Sequence, residues 1–294
     1  MDQISTDIAP TRPNAVDGVD PARVDVKGLD PARFDALLDG SRARERRALI
    51  RMAIVGTIVL VSFWLTQLFD FKRLAEGIPA ILQIGSEMMP PDFTRWQAWL
   101  RPLLDTLAMS IAGTAFAVIF SIPLAFLAAT NTTPNKVVYH ATRLLLNLFR
   151  SIPELIKGII LVAAVGFGVL PGVLALGLHS IGMVGKFFAE AIEHVDPKPI
   201  EAARAAGATP VQVIWHAILP QVMPQMLDTV IYRWEYNFRA SVVLGAVGAG
   251  GIGTELISSL RIMDYQQVAA ILLCILACVT IVDSVGIALR RKLA

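Results

Sequence analysis

Six stretches of the chain are apolar over lengths that suit a membrane. A transmembrane helix needs about 20 mainly apolar residues to cross about 30 Å of hydrocarbon, because lipid offers its backbone no hydrogen bonds. Met52 to Phe69 is the first such run and Thr106 to Thr130 the second. The second carries a kink point at Pro123, and Gly113 and Ala117 at the small-xxx-small spacing that lets helices approach closely. The uncharged stretch from Gly158 to Gly185 is interrupted by Gly166, Gly168, Pro171 and Gly172, so it reads as two half-runs joined by a turn. A third span is therefore expected from Val137 to Val165 and a fourth from Val173 to Ile192. A fifth covers Pro220 to Val247 and a sixth Tyr265 to Leu289. The expected fold class is an all-α integral membrane protein of about six transmembrane helices.

Charge sets the direction of these spans. Arg42, Arg44, Arg46, Arg47 and Arg51 precede the first run, which puts the N-terminus in the cytoplasm. Six crossings return the chain to the same side, where Arg290, Arg291 and Lys292 stand. The same parity makes Asn131 to Lys136 and Glu193 to His216 cytoplasmic. Lys72, Arg73, Arg95 and Arg101 fall in an external loop, which weakens the rule without reversing it. The chain then divides into a cytoplasmic tail (1–48), a first helix with its external loop (49–102), and a core (103–294) with a cytoplasmic loop at 196–220.

Composition agrees and removes other classes. Of 294 residues 55% are hydrophobic and 17% charged, against roughly 25% charged in soluble domains. A net charge of +2 is too small to imply nucleic acid. Cys274 and Cys278 share one face of an apolar helix and read as small buried residues; His140, His179, His194 and His216 are scattered, so no metal site is expected. The first forty residues hold no apolar run of the kind a cleavable signal needs. They hold instead a repeat, Asp20 to Asp25 and Asp30 to Asp35, in which Asp caps and Pro starts a helix. The second copy, with Phe34, Leu37 and Leu38 before Gly40, has the pattern of a short amphipathic helix. A mobile tail and a docking element for a cytoplasmic partner are both open readings.

The loop at 196–220 carries the most specific signal. Pro197 and Pro199 start a short helix after Asp196, alanines give it a narrow face, and Gly207 ends it. Thr209 to Gln212 has the pattern of a capping box. Local physics alone is equally satisfied by an amphipathic connector at the membrane surface. The register is more particular: Glu201, Ala202, Ala203, Gly207, Leu219 and Pro220 match the EAA loop of ABC-importer permeases, with Ala217 at the usual Ile position and Ile218 beside it. This chain resembles that family. The resemblance implies the type I importer permease fold and makes the first short helix a coupling helix for a separate ATPase, through Glu201, Ala202, Ala203, Arg204 and Gly207. Arg150 to Pro153, together with the segment Tyr232 to Gly253, resembles the methionine-importer-like class and, within it, phosphonate-importer permeases of the PhnE type. That implies a homodimer in the bacterial inner membrane, two ABC ATPase copies binding ATP and Mg, and an external binding protein for a phosphonate-type anion. Phosphate and phosphite are the alternatives.

Arg233, Glu235 and Arg239 fall in or near the fifth span, where an ionised group costs about 2.5–3.5 kcal/mol. Helical geometry puts Glu235 and Arg239 on one face, and Arg150, Glu154 and Lys157 on one face of the third span. Internal salt bridges suit the glutamates better. For the arginines a substrate path is the better reading, with Arg150, Arg233, Asn237, Arg239 and Ser241 along it, since guanidinium and amide groups replace the water of a small anion. Gly248, Gly250 and Gly253 match GxGxxG without a preceding strand, so they and Gly251 indicate close packing or a gate, not a dinucleotide site. No GxxxxGK[ST] occurs, so ATP belongs to another chain. An intramembrane enzyme would need a nucleophile–base pair, and none stands out. An ATP-independent channel is the remaining alternative, against which the EAA register argues.

Overall fold

The computed structural model describes residues 31–293, and every regular element among them is a helix. The first repeat copy, Asp20 to Asp25, lies outside the described residues. Contacts divide the chain into a unit ending at Ile78 and a unit beginning at Pro79. The first holds α1 (Pro31–Leu65) and the start of α2 (Phe71–Glu87). Pro31 opens α1 as expected, but Gly40 does not end it, and the helix continues into the first span. One interior glycine costs only about 1 kcal/mol, which good helix formers on both sides offset. Helix α2 is an element that the expected external loop missed. Its start carries a local signal, since Asp70 Oδ1 accepts from the Arg73 amide at 3.0 Å.

The second unit contains α3 (Trp96–Ala128), α4 (Lys136–Ser151), α5 (Glu154–Val165), α6 (Val169–Glu193), α7 (Pro197–Ala205), α8 (Pro210–Val213), α9 (Leu219–Gly245), α10 (Ile252–Arg261) and α11 (Tyr265–Leu293). Four described helices are long and apolar enough to span by themselves: Glu45–Leu65, Trp96–Ala128, Val169–Glu193 and Tyr265–Lys292. The other two expected spans depart for separate reasons. One is broken, and the other carries charge.

Helices α3 and α6 form the spine. Gly113 faces Leu176, where an added Cβ would lie 3.0 Å from the leucine Cβ, and Ala117 is fully buried. Gly182 of α6 receives the end of α4, 2.5 Å from the Leu146 carbonyl oxygen to a would-be Cβ. Lipid is as apolar as these side chains, so close packing of small residues, more than removal from water, holds the helices together. At one end Arg143 clamps Glu193 through two contacts of 2.9 Å and donates to the Ala128 carbonyl at 3.0 Å, tying α3, α4 and α6.

The expected third span is two helices. Pro153 cannot donate to the helix ladder and pushes Ile152 into extended backbone (φ −92, ψ 125), so α4 stops at Ser151 and α5 restarts at Glu154. Lys157 donates its ammonium to the Phe149 carbonyl and, at 2.9 Å, to that of Ile152, replacing lost backbone donors. The single face proposed for Arg150, Glu154 and Lys157 is thereby divided. The turn into α6 falls at Gly166 and Gly168, as expected, but Pro171 and Gly172 lie inside the first turn of α6, which starts before Val173. Proline is accommodated there because its missing N–H is unpaired in a first turn anyway.

Candidate functional site

The loop at 196–220 folds as its residues dictate. Asp196 caps α7 by accepting from the Lys198 amide at 3.0 Å, and Gly207, at φ +82, turns the chain where other residues would be strained. The capping box is complete: the Thr209 amide donates to Gln212 Oε1 at 2.8 Å and the Gln212 amide to Thr209 Oγ1 at 3.4 Å. Glu201, Ala202, Arg204 and Gly207 are exposed, while Ile200 is buried and Ala203 packs against the core. The loop therefore offers a narrow charged ridge anchored from below. The second helix is not a separate surface element. It runs from α8 through a π-helical turn at Ile214–Ile218 directly into α9. Pro220 cannot donate to His216, and the wider turn absorbs the mismatch.

A second cluster surrounds the α4–α5 break, halfway along α6 and α9. Arg233 is buried at 3% exposure; its Nε donates to Ser180 Oγ at 2.7 Å and its plane stacks on Tyr236, 4.3 Å from the ring centre. The Tyr236 hydroxyl donates to Glu154 Oε1 at 2.7 Å, and His179 Nε2 lies 3.4 Å from Glu154 Oε2. Arg233 Nη2 is buried without a hydrogen-bond partner. Sequence reasoning set His179 aside as scattered and passed over Ser180 and Tyr236. The available signal was a polar His–Ser pair inside an otherwise apolar run.

Of the remaining expected path residues, Asn237 joins this cluster through Ser180 and the others are placed elsewhere. Asn237 is fully buried, accepting from Ser180 at 3.1 Å and donating to Thr114 at 2.9 Å; Ser241 is fully buried against Phe238 and Thr106. Both tie α9 to its neighbours and are closed to solvent here. Arg239 pairs not with Glu235 but with Asp283 of α11 at 3.0 Å, with both side chains nearly half exposed. Glu235 pairs with Arg290 at 2.6 Å. Arg150 is half-buried in the last turn of α4, before the break that separates it from Glu154 and Lys157. The glycine-rich segment forms the tight turn between α9 and α10: Gly248, Gly250 and Gly251 have φ of +93, +79 and +78, and Gly245 meets Gly253 so closely that a Cβ would lie 2.7 Å from its Cα. Helix α10, ten residues long, was not anticipated.

Known proteins resemble this arrangement. The family described as binding-protein-dependent transport system inner membrane component matches residues 121–294. The phosphite transport system permease protein PtxC of Stutzerimonas stutzeri is 61% identical over 91% of this chain and 97% of its own length. The phosphate-import permease protein PhnE of Mycolicibacterium smegmatis is 42% identical over 80% of this chain and 44% of its own. A solved structure of the MetNI methionine ABC transporter in an inward-facing conformation covers 68% of this chain and 99% of its own at a TM-score of 0.61 and 22% identity, which speaks to fold alone.

Proposed function

This chain belongs to the family of inner membrane components of binding-protein-dependent transport systems, and from that premise we propose that it moves a small phosphorus oxyanion, phosphite first, into the cell. It is a multi-pass ABC-importer permease and a transport subunit, not an enzyme. The observation that carries the substrate is the 61% identity along 97% of a relative named for phosphite. Phosphonate, favoured by the resemblance of residues 232–253, and phosphate, named in the 42% relative, follow behind it. The cations Arg233 and Lys157 inside the bundle support an anionic cargo.

The chain works as a homodimer with two ABC ATPases that bind ATP and Mg, and receives its anion from an external binding protein. Its exposed Glu201, Ala202, Arg204 and Gly207 form the ridge that enters the ATPase, and charge pairing by Glu201 and Arg204 sets its register. Both termini face the cytoplasm, in keeping with the basic residues beside the first and last spans. Co-expression with its ATPase and binding protein in a bacterium without phosphite uptake tests the reading. Radiolabelled phosphite should accumulate, and unlabelled phosphite should compete better than phosphate or a phosphonate. No accumulation of any of the three would refute it.

A further inference from the structure

The polar cluster at the α4–α5 break contains more positive charge than it neutralises. Arg233 and Lys157 have Glu154 as their carboxylate neighbour, and that carboxylate also lies beside the His179 ring. His179 itself lies between two acceptors, the Ile152 carbonyl at 3.3 Å from Nδ1 and Glu154 at 3.4 Å from Nε2. A neutral imidazole serves the Ile152 carbonyl through its one N–H, and two cations then stand beside one carboxylate. At mid-depth in a membrane such an excess calls for an anion. The orphaned Nη2 of Arg233 marks the unfilled contact.

We propose that this cluster is an oxyanion-binding site within each protomer, and that Glu154 occupies it as an internal counter-ion until the transported anion displaces its carboxylate. The inference rests on the oxyanion reading above. The Tyr236 hydroxyl donates to one Glu154 oxygen, and His179 Nε2 lies 3.4 Å from the other. A phosphorus oxyanion has more acceptor oxygens than a carboxylate, so it can take the Tyr236 hydroxyl, lie against His179 and also engage Arg233 Nη2, which Glu154 leaves unpaired. Access fits as well. The side chains of Glu154 and His179 are 21% and 13% exposed at the rim, with Arg233 behind them. Glu154 satisfies the empty site and then competes the anion off, which keeps binding weak enough for release.

This arrangement makes two substitutions act in opposite directions. Phosphite is titrated by calorimetry into the permease–ATPase complex in lipid nanodiscs, without binding protein. Arg233→Gln should weaken phosphite binding about tenfold or more. Glu154→Gln, which keeps shape and removes charge, should tighten it about threefold or more while slowing uptake in cells, because the competitor is gone. If Arg233→Gln does not assemble with the ATPase, Arg233→Lys carries the same expectation, since it keeps a charge but lacks the second guanidinium nitrogen. A network that is only structural would move both variants the same way or leave binding at the wild-type value. Either result overturns the proposal, as does absence of phosphite binding in both wild type and Glu154→Gln. A wild-type complex that takes up no phosphorus oxyanion in cells refutes the transport reading instead.

Discussion

Replacing Arg290 by Gln tests whether the basic end of α11 holds α9 by charge. The Glu235 side chain is 9% exposed and its Oε2 accepts from Arg290 at 2.6 Å, while Oε1 is buried without a partner. Gly286 lies so close that an added Cβ would collide with this carboxylate, so the glutamate cannot swing away on that side. Removing one partner of a fully buried pair costs about 3–5 kcal/mol. Arg290 is 32% exposed, so the pair is not fully buried, which lowers the expectation to about 2 kcal/mol. Its second contact, to Asp228 at 3.1 Å, involves a carboxylate 64% exposed and adds little. Changing Glu235→Gln as well removes both charges and should restore more than half of the loss, a coupling of roughly 1–2 kcal/mol. Thermal unfolding of the purified protein reads this, at about 2–4 °C per kcal/mol for a chain of this order of size. Arg290→Gln should lower the midpoint by about 4–8 °C. A shift below about 1 °C, or a double variant less stable than both singles, would refute the reasoning.

Gly207→Val forces a branched side chain onto φ +82 and should reduce substrate-stimulated ATP hydrolysis to the basal rate, with membrane insertion unchanged; normal stimulation would remove α7 from coupling. The Arg239–Asp283 pair is nearly half exposed on both sides, so Arg239→Gln with Asp283→Asn should cost under about 1 kcal/mol and leave uptake within about twofold. A large loss of uptake in that double variant would place Arg239 on the anion path. Cysteine at Ala246, in a chain with Cys274 and Cys278 changed to Ser, should cross-link between copies in a yield that changes with nucleotide. Insensitivity to nucleotide would argue against a gate at the glycine-rich turn.

Features whose partners lie within one segment are legible in the amino-acid sequence. Asp196 with Lys198, Thr209 with Gln212, and Gly207 after an alanine run need only local rules, and each stands where those rules put it. Helices α2 and α10 escape because a search for membrane-length runs passes over elements of 17 and 10 residues. The charges of the fifth span show a different limit. Helical spacing joins Glu235 to Arg239, yet their partners are Arg290 and Asp283, 55 and 44 positions away. A same-helix ion pair is worth only about 0.2–0.5 kcal/mol. Joining Glu235 to Arg239 would have left Asp283 of α11 without its partner, and an unpaired charge within a span costs more than that pair returns. Cross-helix pairing therefore wins wherever two helices each bring a charge to the same depth. Arg233 follows the same logic with one difference: Ser180 and Tyr236 engage part of its guanidinium, and no carboxylate among the described residues reaches Nη2. The oxyanion proposed for this cluster would supply the acceptor that Nη2 lacks, from a partner no spacing along the chain can reveal.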